Sequence, residues 1–124
     1  MTNYYTKETM ERFLNPKHFG EMKDANGIGK VGNPRCGDQM DIYIKVKNKK
    51  IENASFHTYG CVAAIATSDV VCEMIIGKTL KEALAITEKG MIEVLKSLPA
   101  IKIHCSSLAI EGLKKAIENY EERK

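Results

Sequence analysis

From Met40 to Lys47 the chain alternates without a break. Met40, Ile42, Ile44 and Val46 fall in one phase, Asp41, Tyr43, Lys45 and Lys47 in the other. This period of two predicts a strand with one face on a core. Asn48-Lys49-Lys50 then forms a turn, and residues 51–60 return as a second strand with Ala54, Phe56 and Thr58 in one phase. Ile51 is out of phase with these three, which places a bulge near Glu52-Asn53. After Gly60 the pattern changes. Residues 62–76 are apolar on most faces, broken by Thr67, Ser68, Asp69 and Glu73, and Gly77 supplies a helix stop. A helix this apolar is expected to be the central, buried one.

Shorter signals fill in the rest. Residues 6–14 predict a helix ended by Asn15-Pro16, because a residue before proline avoids the helical region. Lys17 to Pro34, with four glycines among polar residues, reads as connection with one edge strand around Ile28–Val31. Thr79 and Glu82 stand in capping-box spacing. One further helix covers about 88–97. The last runs from the Ser106-Ser107 region to about Glu121, burying Leu108 or Ala109, Leu113, Ala116, Ile117 and Tyr120. The predicted class is α+β, a small antiparallel sheet of about three strands with helices packed on one face. Residues 1–124 form one domain, of which 1–34 is a partly flexible N-terminal segment.

Composition narrows the function. A net charge of +3 with acidic and basic residues interspersed argues against nucleic-acid binding, as do 6% aromatic residues and no tryptophan. No apolar run is long enough for a membrane span, and the first residues do not form a signal peptide. The expected compartment is a reducing cytoplasm. There the four cysteines serve as thiols, ligands or reactive groups, not as disulfides.

Three of those cysteines fall at junctions between elements: Cys36 in the turn before the strong strand, Cys61 where the second strand meets the buried helix, and Cys105 at the start of the last helix. The N–H groups and partial positive charge of a helix start favour thiolate, and Arg35 and Lys102 add cationic neighbours. Asp38 and His104 supply an oxygen and a nitrogen donor close by. The candidate constellation is Cys36, Asp38, Cys61, His104 and Cys105. Cys72 lies inside the apolar helix and reads as a small core residue. His18 and His57 read as structural or surface positions. The separations of 25 and 44 residues between the junction cysteines are nothing like the short CxxC pairs of zinc ribbons or ferredoxins, so spacing alone does not name the chemistry. The donor types are compatible with tetrahedral zinc, or with Cys105 as a nucleophile and His104 as its base.

"VGNPRCGDQM", "FHTYGCVAAIATS" and "IHCSSLA", in this order and spacing, resemble the family of IscU and NifU N-terminal-domain iron–sulfur cluster assembly scaffolds. The similarity runs from about Tyr5 to Tyr120. His104 and the absence of an insertion between the second and third motifs are similar to the stand-alone IscU type. The resemblance implies an IscU/SufE-like fold and a scaffold rather than an enzyme. It implies a labile 2Fe–2S cluster built from iron and persulfide sulfur and passed to apo-proteins, with zinc possible in its place. Its implied ligands are Cys36, Cys61 and Cys105, with Asp38 or His104 as the fourth, and Cys105 as persulfide acceptor supported by Lys102. The implied partners are a cysteine desulfurase, apo iron–sulfur proteins, a chaperone ATPase with its co-chaperone, and a second copy in a homodimer. The chaperone segment corresponds to Leu98, Pro99 and Lys102, although Ala100 replaces the family's second proline. Val62 stands where glycine is common after the second cysteine. A zinc-binding sulfur acceptor that builds no cluster is the alternative.

Overall fold

The structure, a computed structural model, describes residues 5–33, 38–58, 61–96, 98 and 103–123. Helix α1 (Lys7–Leu14) begins on Thr6, whose hydroxyl accepts from the Thr9 N–H, and ends at Asn15 before the proline. Strands β1 (Gly27–Asn33), β2 (Asp38–Lys47) and β3 (Lys50–Thr58) form an antiparallel sheet in the order β1-β2-β3. Helix α2 is Val62–Ile75, α3 is Leu80–Leu84, α4 is Glu88–Leu95 and α5 is His104–Arg123. The fold is the expected α+β arrangement.

The strand pattern is met in detail. Met40, Ile42 and Ile44 are fully buried. β2 and β3 join through Asn48 and Lys49, both at positive φ (54° and 64°), the geometry of a two-residue type I′ hairpin. Lys45 pairs with Asn53 and Val46 with Ile51, so Glu52 is bulged out and Ile51 turns back into the core. β1 is longer than the edge strand anticipated at Ile28–Val31. The stretch after Pro16, expected only as connection, reaches the free edge of β3. Phe56 donates its N–H to the His18 carbonyl (2.9 Å), and Gly20 donates to the Phe56 carbonyl (2.7 Å). The Phe19 ring meets Phe56 edge-on at 5.4 Å.

α2 is buried along most of its length, as its composition requires. Its hydroxyls turn inward and donate to carbonyls one turn back, Thr67 to Ala63 (2.7 Å) and Ser68 to Ala64 (2.7 Å). Gly77, at φ 87°, lets the chain leave the helix. The capping box of Thr79 and Glu82 is complete. α5 starts two residues earlier than the serines suggested and lies close on β1, where Gly29 faces the α5 backbone at Gly112 and Ala116.

Candidate functional site

The sheet register decides where the cysteine-bearing junctions go. Asn33, the last residue of β1, pairs with Asp38, the first of β2. Met40 pairs with Thr58 at the end of β3, and the Thr58 hydroxyl donates to the Gln39 carbonyl (2.5 Å). Three residues beyond Thr58, Cys61 is the N-cap of α2. α5 runs antiparallel to β1: Asn119 accepts the Ile28 N–H (3.0 Å), while Gly112 lies beside Val31 and Ile42. Seven helical residues from Gly112 back to Cys105 span about 10 Å, and the two strand residues from Val31 to Asn33, the end of β1, about 7 Å in the same direction. The β1–β2 junction, the β3–α2 junction and the start of α5 therefore share one end of the sheet.

The described thiols at this end differ in access. Cys61 is half-buried, with extended backbone (φ −76°, ψ −179°) and no thiol capping bond. Cys105 is fully buried in the first turn of α5, with the Thr67 hydroxyl 3.5 Å from its carbonyl. Neither first turn contains an acidic residue of its own, although the Ser107 hydroxyl in the first turn of α5 donates to the Glu88 carboxylate of α4. Cys72 is fully buried, and burial, reinforced by the negative charge of Asp69, pushes its thiol well up, so it remains protonated. Its expected role as a core residue fits this setting.

The other sequence candidates divide in two. Cys36, Pro99 and Lys102 lie outside the described residues, as does Arg35. Asp38 and His104 open β2 and α5, which puts their backbones at the same sheet end. Leu98 is 7% exposed and packs with the core cluster. Among the described residues no group of three or more His, Cys, Asp or Glu side chains is placed to hold a metal ion. Cys61 and Cys105 are the two candidate ligands whose side chains are described.

Accessibility sets an order of reactivity. Among the described thiols, Cys61 is expected to be labelled first by iodoacetamide under native conditions. Cys105 should follow at least about tenfold more slowly, and Cys72 only when the chain unfolds. Peptide mass spectrometry over a time course checks this, and rapid labelling of Cys72 would contradict the packing of α2.

Sequence reasoning missed Asp69. It lies 1% exposed on α2, two turns past Cys61, and binds three donors from the N-terminal segment. Arg12 reaches its Oδ2 at 2.8 Å, and the N–H groups of Lys17 and His18 reach Oδ1 at 2.9 and 3.0 Å. Arg12 also bonds Glu73 (3.1 Å) and holds that carboxyl below the usual carboxylate range. An acidic residue inside an apolar helix was the available signal.

The chain matches the NifU-like N-terminal domain over residues 4–124. It is 51% identical over 116 residues to "Iron-sulfur cluster assembly scaffold protein IscU 1" of Archaeoglobus fulgidus, covering 94% of this chain and 76% of that one. It is 45% identical over 121 residues to the scaffold protein IscU of Haemophilus influenzae, covering 94% and 95%. Two solved structures share the fold. One is a SUF-system scaffold from Fervidobacterium islandicum (TM-score 0.78, 24% identity, 92% and 96% covered). The other is a NifU-like N-terminal protein from Brucella abortus (TM-score 0.80, 17% identity, 98% and 96% covered). Among the described residues no helix is long and apolar enough to cross a membrane.

Proposed function

The chain belongs to the NifU-like N-terminal domain family, and from that premise we propose that it is a scaffold on which an iron–sulfur cluster is assembled and from which the cluster is handed on. The observation that supports this reading is that the end of β1 and the start of β2, the α2 N-cap at Cys61 and the start of α5 at Cys105 lie at one end of the sheet. The cluster is cargo, so its ligands have to bind and let go. Cys36, Cys61 and Cys105 supply soft thiolates suited to iron in a cluster, and Asp38 or His104 supplies a fourth, less matched donor. Such a set holds a 2Fe–2S cluster less firmly than four thiolates.

Sulfur arrives as a persulfide on a cysteine desulfurase. The Cys105 thiolate attacks the outer sulfur, a new S–S bond forms on Cys105, and the donor cysteine leaves as thiolate. Ferrous iron supplies part of the electrons that reduce this sulfur to sulfide, and an added reductant supplies the remainder. Cys105 is buried, so attack requires the first turn of α5 to open. Opening a helix end costs little compared with opening a core element.

Anaerobic reconstitution with ferrous iron, cysteine, a thiol reductant and a cysteine desulfurase tests the reading. Visible absorption and Mössbauer spectra are expected to show a 2Fe–2S cluster that transfers to an apo-ferredoxin. Cys36→Ala, Cys61→Ala and Cys105→Ala should each abolish it, and Cys72→Ala should retain it. A wild type that forms no cluster and keeps one tightly held zinc would overturn the scaffold assignment.

A further inference from the structure

At the end of the sheet away from the cysteines, the β2–β3 hairpin and the α2–α3 connection lie side by side. The Ile51 N–H donates to the Lys78 carbonyl (2.8 Å), Gly77 donates to the Ile51 carbonyl (2.7 Å), and Lys50 bridges to Thr79. This pairing puts Lys47, Lys49, Lys50, Lys78 and Lys81 on one exposed surface. Its nearby acids are Glu52 and Glu82, and Glu82 is engaged in the α3 capping box while it feels Lys78 and Lys50. Five lysines against two glutamates leave three positive charges. That equals the net charge of the whole chain, so the remainder of the molecule is formally neutral.

The hairpin also keeps a lysine where one is least expected. The second position of a type I′ turn favours glycine, because a side chain in the left-handed region crowds its own backbone. Lys49 occupies that position at φ 64°. The turn thus carries conformational strain together with its charge.

We infer that this basic end is a docking surface for an acidic face of a protein partner. The patch is made of lysine alone. Lysines are mobile point charges suited to scattered carboxylates, whereas phosphate is gripped in a bidentate manner by arginine. It contains no aromatic side chain on which bases stack, and Leu84, one turn beyond Lys81 on α3, is a single exposed apolar residue, too little to anchor in lipid. Clustered charge of one sign steers an oppositely charged partner to one orientation. The ten residues of β2 separate this surface from the cysteine end by about 30 Å. A partner bound here therefore leaves the cysteine end uncovered. The inference stands on charge and topology and does not depend on the scaffold reading.

The test titrates the ¹⁵N-labelled full chain with a deca-glutamate peptide at low and near-physiological salt. Amide shifts are expected at residues 45–52 and 76–82, with affinity falling as salt rises. Lys47→Glu/Lys49→Glu/Lys50→Glu should weaken binding at least about tenfold, and Lys89→Glu/Lys114→Glu/Lys115→Glu, of equal net charge, by less than about twofold. The amide spectrum of each variant verifies its fold. Equal weakening by the two triples, shifts spread over the surface, or no peptide binding at low salt overturns the proposal. So does patch-dependent binding of phosphatidylserine vesicles or duplex DNA without patch-dependent binding of the peptide.

Discussion

Asp69→Ala is expected to lower the unfolding free energy by about 3 kcal/mol, the scale for stripping one member from a buried, hydrogen-bonded charge pair. The carboxylate is enclosed by α2 and the N-terminal segment, and each of its oxygens is in use. Oδ2 takes the Arg12 guanidinium, and Oδ1 takes the successive N–H groups of Lys17 and His18. Alanine leaves the two backbone donors without their acceptor and Arg12 with Glu73 alone, a carboxylate that is 48% exposed. His18 in turn accepts the Phe56 N–H, so the loss should spread to the edge of β3. Denaturant midpoints with an unchanged slope would measure the loss, and hydrogen exchange at the Lys17 and His18 amides would localise it. A cost below about 1 kcal/mol would mean that the segment is held by other contacts.

Asp69→Asn separates charge from shape. The amide oxygen can still accept from the two N–H groups, but its NH2 faces the Arg12 guanidinium, donor against donor. Its cost should fall between wild type and alanine. Glu73 adds a smaller, pH-dependent part. Arg12 lowers its folded pKa, so its contribution is present above the unfolded carboxylate pKa, about 4.3, and is lost as pH falls through the lower folded value. Wild type and Glu73→Gln should therefore converge in acid.

Elements with a strong local period were legible in the sequence. β2 was, because every second side chain is apolar. The bulge was, because Ile51 breaks phase and only an extra residue returns it to the core. The α3 cap was, because its two partners lie three residues apart. What escaped reading depends on pairs distant along the chain. Asp69 and Arg12 are 57 positions apart, and two of the Asp69 donors are backbone groups with no sequence signature. The cysteines could be assigned to junctions, but the common sheet end follows from strand register and from the direction of α5. The burial of Cys105 was also hidden, since a helix start reads as exposed until the helix is packed. Glycine was ambiguous in a similar way. The run from Gly20 to Gly32 suggested loose connection, yet Gly27 and Gly29 lie in a strand and serve close packing.

Gly29 carries the second large effect. A Cβ built there would lie 2.1 Å from the Gly112 carbonyl oxygen and 2.5 Å from the Ala116 nitrogen. Both are backbone atoms of α5 and cannot rotate aside, so a methyl group has to lift the helix from β1. Overpacking usually costs about 1–3 kcal/mol, and a clash with fixed backbone belongs at or above the top of that range, so Gly29→Ala should cost about 3 kcal/mol or more. Gly90→Ala in α4 is the control. Its Cβ meets nothing closer than 3.4 Å, and alanine inside a helix should raise stability by about 0.5–1 kcal/mol. The Gly29 effect should also reach the cysteine end, because α5 carries Cys105 in its first turn and Gly112 two turns later. A lifted α5 uncovers the buried thiol. In Gly29→Ala, Cys105 is therefore expected to react with iodoacetamide faster than in wild type, with the lead of Cys61 reduced. Unchanged stability and unchanged Cys105 labelling would show that α5 does not hold the close approach to β1 that keeps this thiol covered.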